Sequence, residues 1–507
     1  MKSKWLERMN LIVRVGIVAG LAVFATLSWL APALGSTLTS GPAEMNPPQR
    51  VAGAAGDADG RGADFFPAIA YDPYSQRYLV VWLTSRNADP NSGFEIYGVM
   101  LDQSGTPMTG EFAISDGKTA ARNIRPTVAG AYGGFVVAWT EKTTPCRIMV
   151  QRVVDSSPQP DYLLQPSQGH QHSPSLLYNP MRGRYALAYV DGDDYLPASL
   201  QGNAVSDCGN NPASRSRVRV IEFYFDQGFP AVSASNEVSW WQTGAFRPDL
   251  AYDPRQNRYL AVWEDRRQAI GKPYRFDVYA QLLDERLMIT GPSLVLAAGG
   301  DYSNDDNTSS WTPRPVAAAD GEQFQAAWFE HKEEGIAALW TLQSRSVSPF
   351  GWVSSPKIWL RFTYAQNRRS PASFLDLEYL PTGGEYIVGL SAYIDSELLG
   401  YYSRLLIQRV SKGGELLKMD GSLQAHPAVG RALDLEKENQ LMAAIAVNGS
   451  GYGKPEVTDL LVVYSKHSRN QSQEDYDLWG ARVQIPSIPT PPPVAQMKAF
   501  LPMSLRK

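Results

Sequence analysis

Charged side chains gather just after several apolar segments. Glu264-Asp265-Arg266-Arg267 follows Arg258-Tyr-Leu-Ala-Val-Trp263, and Arg86, Glu141 and Asp191 stand at or near the same place after three other such segments. Groups of this kind suit two chemistries. A polar ring can bind a glycan or a peptide, and Trp311 would add a flat apolar surface for a sugar ring. Alternatively, two carboxylates can flank a glycosidic bond, at a separation set by the mechanism. Glu141, Asp191, Glu264, Asp265 and Glu330 are the residues that would supply such a pair. The plainer reading is solvated loop charge, because exposed ion pairs are common and weak.

Metal ligation has two candidates. Asp57-Ala-Asp59-Gly-Arg-Gly-Ala-Asp64 has carboxylates at a spacing that can bind calcium, but it lacks the full ligand set and terminal Glu of an EF-hand loop. The alternative is a Gly-rich turn. His170-Gln-His172 would put two imidazoles on one side of a strand. No third ligand accompanies them, which favours a polar connector. Calcium is therefore the only cofactor the sequence suggests, through Asp57, Asp59 and Asp64. No nucleophile motif, phosphate loop or dinucleotide fingerprint stands in a suitable context.

A repeated phrase shows what must position these groups. Pro67-Ala-Ile-Ala-Tyr-Asp-Pro73 precedes Arg77-Tyr-Leu-Val-Val-Trp82 and Glu95-Ile-Tyr-Gly-Val-Met-Leu-Asp102. It returns as Pro248-Asp-Leu-Ala-Tyr-Asp-Pro254, Arg258 to Trp263, and Asp277-Val-Tyr-Ala-Gln-Leu-Leu-Asp284. Weaker copies open at Pro126, Pro174, Pro315 and Pro371, and a seventh runs through Asp459 to Tyr464 and Asp477 to Val483. Repeats of this length mark arrays of small β-units. The segments are short, β-branched and aromatic, with Asp-Pro, Asn and Gly between them, which reads as strands. Arg77 to Trp82 is apolar on both faces after its first residue, as a strand packed on both sides should be. Sheets stacked radially around an axis provide that environment. The sequence thus predicts an all-β chain, a seven-bladed β-propeller of four-stranded antiparallel blades. Trp82, Trp139, Trp263 and Trp328 fall at core positions of that plan.

The last unit ends after its third strand, near Ile485. Gln49-Arg-Val-Ala-Gly53 is a strand without a unit and is expected to complete the final blade. This choice takes Ala443-Ala-Ile-Ala-Val447 as that blade's first strand. The rival is Pro427, which would make the blade complete by itself. Residues 1–35 read as an export signal: a basic start, an apolar run from Val15 to Leu30, and small residues at Ala31-Pro-Ala33. An uncleaved membrane anchor is the competing reading. Residues 36–48 form a short linker, 49–485 the propeller, and 486–507 a Pro-rich linker and tail.

The chain has 47 basic and 51 acidic residues. The first 35 contain four of the basic ones and one acid, so the remainder carries a net charge of −7. That argues against nucleic acid, whose protein partners are usually basic. Cys146 and Cys208 are the only cysteines, and the repeat map puts both in second-to-third strand loops of adjacent units. Such loops share one face, so a disulfide is expected after export to an oxidising compartment. Long connections also belong to this face: Leu83 to Phe94, Asp191 to Ser216, Glu264 to Arg275, and the between-blade segment Gly299 to Thr312. Binding residues concentrate on loops held by a rigid scaffold.

The repeat resembles the propeller repeats of uncharacterised bacterial secreted or surface proteins, over about residues 49–485. The resemblance implies a fold and an exported location, secreted or at the cell surface; it carries over no catalytic residue. The expected function is a non-catalytic, monomeric binding or structural module with a glycan or protein ligand on the long-loop face. A membrane enters only if the N-terminal segment is retained. The alternative is a secreted glycosidase or polysaccharide lyase on the same scaffold.

Overall fold

A computed structural model describes residues 44–486 except 46–47, 53–63, 85–93, 116–121, 132, 166, 168, 194–207, 209–215, 240–243, 266, 268–276, 299–314, 335–336, 366–371, 382–383, 397–399, 419–430, 433–439, 449–456 and 468–475. The described residues form seven antiparallel sheets and no helix. Blade 1 is Asp64–Asp72, Arg77–Thr84, Glu95–Leu101 and Phe112–Ala113. Blade 2 runs from Arg122–Ala131 to Ser157–Leu163, blade 3 from Gln171–Asn179 to Phe229–Glu237, and blade 4 from Ala245–Asp253 to Leu294–Ala297. Blade 5 runs from Val316–Ala319 to Lys357–Ala365, and blade 6 from Ala372–Leu380 to Leu416–Leu417. Blade 7 is Gln440–Asn448, Val457–His467 and Tyr476–Pro486, completed by strands from the N-terminal side.

The innermost strands touch in cyclic order, and that of blade 7 touches that of blade 1. The core accordingly divides into seven apolar clusters, one between each pair of neighbouring blades. Trp82, Trp139, Trp263 and Trp328 are all buried in these seams.

Closure follows the predicted route. Gln49 and Arg50 pair with Gly480 and Trp479, and Glu44–Met45 extends the pairing to Gln484 and Val483. Arg50 is bound to Asp477 at 2.7 Å. Val51 and Ala52 are buried in the seam between blades 7 and 1. The first strand of blade 7 contains Ala443 to Val447, as preferred over Pro427.

The recurring prolines have a local cause. In blades 1 to 4 the inner strand shifts register across the opening proline, at Phe65/Ala68, Ile124/Thr127, His172/Ser175 and Phe246/Asp249. A residue without an N–H is tolerated at such a bulge. The preceding Phe66, Ser173 and Arg247 adopt φ of 50°, 55° and 49°. The Asp-Pro and Asn-Pro turns are closed by the acidic or amide side chain. Asp72 accepts the N–H groups of Tyr74 and Ser75, Asn179 those of Met181 and Arg182, and Asp253 those of Arg255 and Gln256.

Candidate functional site

Second strands end, and first strands begin, on the long-loop face. Arg86, Arg266, Trp311, Asp57 and Asp59 belong to this face by sequence but lie outside the described residues. Glu141, Asp191, Glu264, Asp265, Asp64, Cys146 and Cys208 are described, and most have defined partners.

Asp64 and Asp265 are buried beneath the loops. Asp64 accepts the indole N–H of Trp82 at 3.0 Å. Asp265 accepts that of Trp263 at 2.8 Å and holds Arg267 through two further bonds, at 3.0 and 2.7 Å. The Arg267 guanidinium then lies 3.7 Å from the centre of the Tyr279 ring. Both carboxylates thereby satisfy a buried donor that the apolar seam would otherwise strand. Glu264 pairs with Arg247 at 3.2 Å. Asp191 receives Arg217 at 2.8 Å and Arg219 at 3.4 Å, and Arg217 reaches on to Glu237 at 2.9 Å. Glu141 is half-buried beside Asn123 and Arg147 in the blade 2 ladder. Glu330 is bonded by Gln343.

Cys146 and Cys208 form a disulfide, with Cα atoms 5.7 Å apart. It ties the long blade 3 connection to the short loop of blade 2. His170 lies against it, and its Nδ1 accepts the Cys146 N–H at 3.1 Å. Sulfur and imidazole atoms here fall within 4.8 Å of one another. Joined sulfurs cannot act as thiolate ligands, so this is a structural staple. His172 is buried, with its Nδ1 3.0 Å from the Ser173 hydroxyl.

A second polar set lines the innermost strands, and sequence reading missed it. One register is occupied by Ala68, Thr127, Ser175, Asp249, Val316, Asp376 and Ala444 in blades 1 to 7, each opposite the same position of its second strand. Its polar members reach to the neighbouring blade. Thr127 accepts from Leu176 N–H, Asp249 from Ala317 N–H, and Asp376 from Ile445 N–H. Ser175 donates to Asp249 at 2.8 Å. An inner strand exposes an unpaired edge, and these side chains satisfy its N–H groups. Two residues on, the sequence reads Ala70, Ala129, Leu177, Ala251, Ala318, Glu378 and Ala446. Glu378 is the one charged member of this register. Loss of hydration, then the charges of Asp376 and Asp249, push its carboxyl well above the ordinary value. The signal available in the sequence was this break in an alanine register. It was hidden because blade 6 matches the repeat poorly.

No family model matches the chain, and no curated protein matches it. Solved structures similar to it include the subtype N11 neuraminidase-like protein of A/flat-faced bat/Peru, at 8% identity and TM-score 0.37 over 89% of this chain and 97% of that one. A protein of unknown function from Dyadobacter fermentans is 10% identical, with TM-score 0.39, over 88% and 99%. The hemagglutinin-neuraminidase ectodomain of parainfluenza virus 5 is 8% identical, with TM-score 0.39, over 96% and 97%. Likeness at this level carries no residue role over to this chain.

Proposed function

We propose that the protein is an exported, non-catalytic binding module whose ligand, a glycan or a protein segment, docks on the long-loop face. The observation that carries this reading is the commitment of the described carboxylates there. Asp64 and Asp265 serve core indoles, and Asp191 and Glu264 are neutralised by Arg217 and Arg247. Carboxylates held this way stiffen the rim from which the loops rise. A hydrolase needs instead one carboxyl free to carry a proton and a second facing it. Export is supported by the disulfide, since such bonds persist in oxidising compartments.

Asp57, Asp59, Arg86, Arg266 and Trp311 are the contact groups in this reading, with calcium at the two aspartates. The test is a glycan, polysaccharide and protein binding array on the full chain, with and without calcium. Saturable binding that Trp311→Ala weakens, with every ligand recovered intact, is the expected result. Release of shortened or unsaturated sugars would overturn the non-catalytic reading in favour of a glycosidase or lyase.

A further inference from the structure

Tight turns cover the face opposite the long loops. They join first to second and third to fourth strands. Among the described residues, seven of the eleven exposed large apolar side chains belong to these turns, and Phe229 begins the strand that follows one of them. Tyr74, Met181, Phe229, Met288, Phe350 and Trp352 are the largest contributors. Phe350 and Trp352 are 86% and 68% exposed.

These side chains sit on well-braced turns. The Ser348 hydroxyl accepts the N–H groups of Phe350 and Trp352, and the Trp352 carbonyl accepts the Ser348 N–H at 2.8 Å. Arg258 of blade 4 donates to the Pro349 carbonyl, with its guanidinium 5.9 Å from the Phe350 ring centre. A side chain added at Gly351 would meet Leu282 and Leu294 of blade 4. Asn236 of blade 3 donates to the Leu287 carbonyl in the blade 4 turn. The turns of blades 3 to 5 are thus linked to one another, which holds their apolar tips in water.

Charge and chain path narrow the partner. Ionic groups near these turns neutralise one another, as in Lys357 with Glu415, Lys412 with Glu322, and Arg77 with Asp155. The face therefore suits a surface of no net charge. Both ends of the ring also leave on this side. The third strand of blade 7 runs toward it and ends at Pro486, as the equivalent strands of blades 4 and 5 run into their apolar turns. Glu44 pairs with Gln484, and Gln49 donates to the Gly105 carbonyl in the blade 1 turn. The sequence before Glu44 includes the apolar run Val15 to Leu30, and that after Pro486 includes Phe500-Leu-Pro-Met-Ser-Leu505.

We infer that, with the N-terminal segment retained, the tight-turn face lies on a lipid bilayer. Its exposed aromatic and thioether side chains enter the boundary between headgroups and acyl chains, and the long-loop face points away. Aromatic residues favour that boundary, and apolar area buried there supplies the binding. This orientation stands independently of which ligand the long loops take.

The experiment uses the full chain with phosphatidylcholine vesicles that contain a diazirine lipid. Carbene labels are mapped by mass spectrometry after illumination. Label is expected at Met288 and at Phe350 to Trp352, and it should persist at high salt. The variant Met288→Ser/Phe350→Ser/Trp352→Ser should lose label from both turns while the Val15 to Leu30 segment stays labelled. These side chains face water, so an unchanged melting temperature verifies the variant's fold. Label confined to residues 15–30, label on the long-loop face, or a stable dimer that shields both turns would overturn the inference.

Discussion

A buried indole N–H needs an acceptor, and Asp64 and Asp265 supply one. In sequence these residues sit beside charged loops and look like candidates for chemistry. Their burial was illegible because it depends on which neighbour fills the space above them. Asp265→Ala removes one acceptor from Trp263 and Arg267 together. Breaking a buried, hydrogen-bonded charge pair costs roughly 3–5 kcal/mol. A chemical denaturation curve should show a loss of that order, whereas a change within about 0.5 kcal/mol would mark Asp265 as an ordinary surface charge. Glu378→Ala should act in the opposite direction. The residue has no hydrogen-bond partner among the described residues and faces the like charges of Asp376 and Asp249. Alanine there restores the register of five other blades. Its folded pKa is raised, so below the ordinary carboxyl value of 4.5 both states hold the proton and no penalty exists. As pH rises above 4.5 toward the raised folded value, ionisation favours the unfolded chain. Denaturation at a series of pH values should therefore find the variant more stable by on the order of 1–2 kcal/mol at neutral pH, and equal to the parent in acid. A variant less stable at neutral pH would contradict this assignment.

At the level of the strand and turn, one contact between blades has an instructive gap beside it. The Asn179 amide that closes the first hairpin of blade 3 donates to the Tyr259 hydroxyl of blade 4 at 2.6 Å. The corresponding residue of blade 5 is Phe324, which has no hydroxyl to offer Asp253. Asp253 Oδ2 is left buried without a partner, and burial raises its carboxyl above the usual range, aided by Asp320. Phe324→Tyr would supply the missing donor. Its expected gain is about 1 kcal/mol, read as a higher denaturation midpoint with unchanged slope. Destabilisation would mean that the seam has no room for the oxygen. The turn itself was legible, because Asp-Pro and Asn-Pro announce it. The pairing across blades was not, because it joins residues about eighty apart, as with Asn179 and Tyr259.

For the whole molecule, the opening prolines, turn aspartates and core tryptophans gave the period because most blades solve the same three local problems. They place a bulge, close a hairpin and fill a seam. The number of blades and the closing strand followed from that period. What stayed hidden was the set of exposed apolar side chains on the tight-turn face. Loop lengths pointed to one face, while the rigid apolar turns of the other lie within short, unremarkable segments such as Ser348 to Trp352. The closed ring is the claim on which both assignments rest, and a disulfide cross-link tests it most directly. Arg50 and Trp479 are directly opposite in the closing pair of strands. Cysteines at facing strand positions fall within bonding range. Oxidation of the Arg50→Cys/Trp479→Cys variant should give a monomer whose peptide map joins residues 50 and 479, alongside the native Cys146–Cys208 bond. Failure of these two positions to join, or their joining only between molecules, would contradict a ring shut by its N-terminal strand.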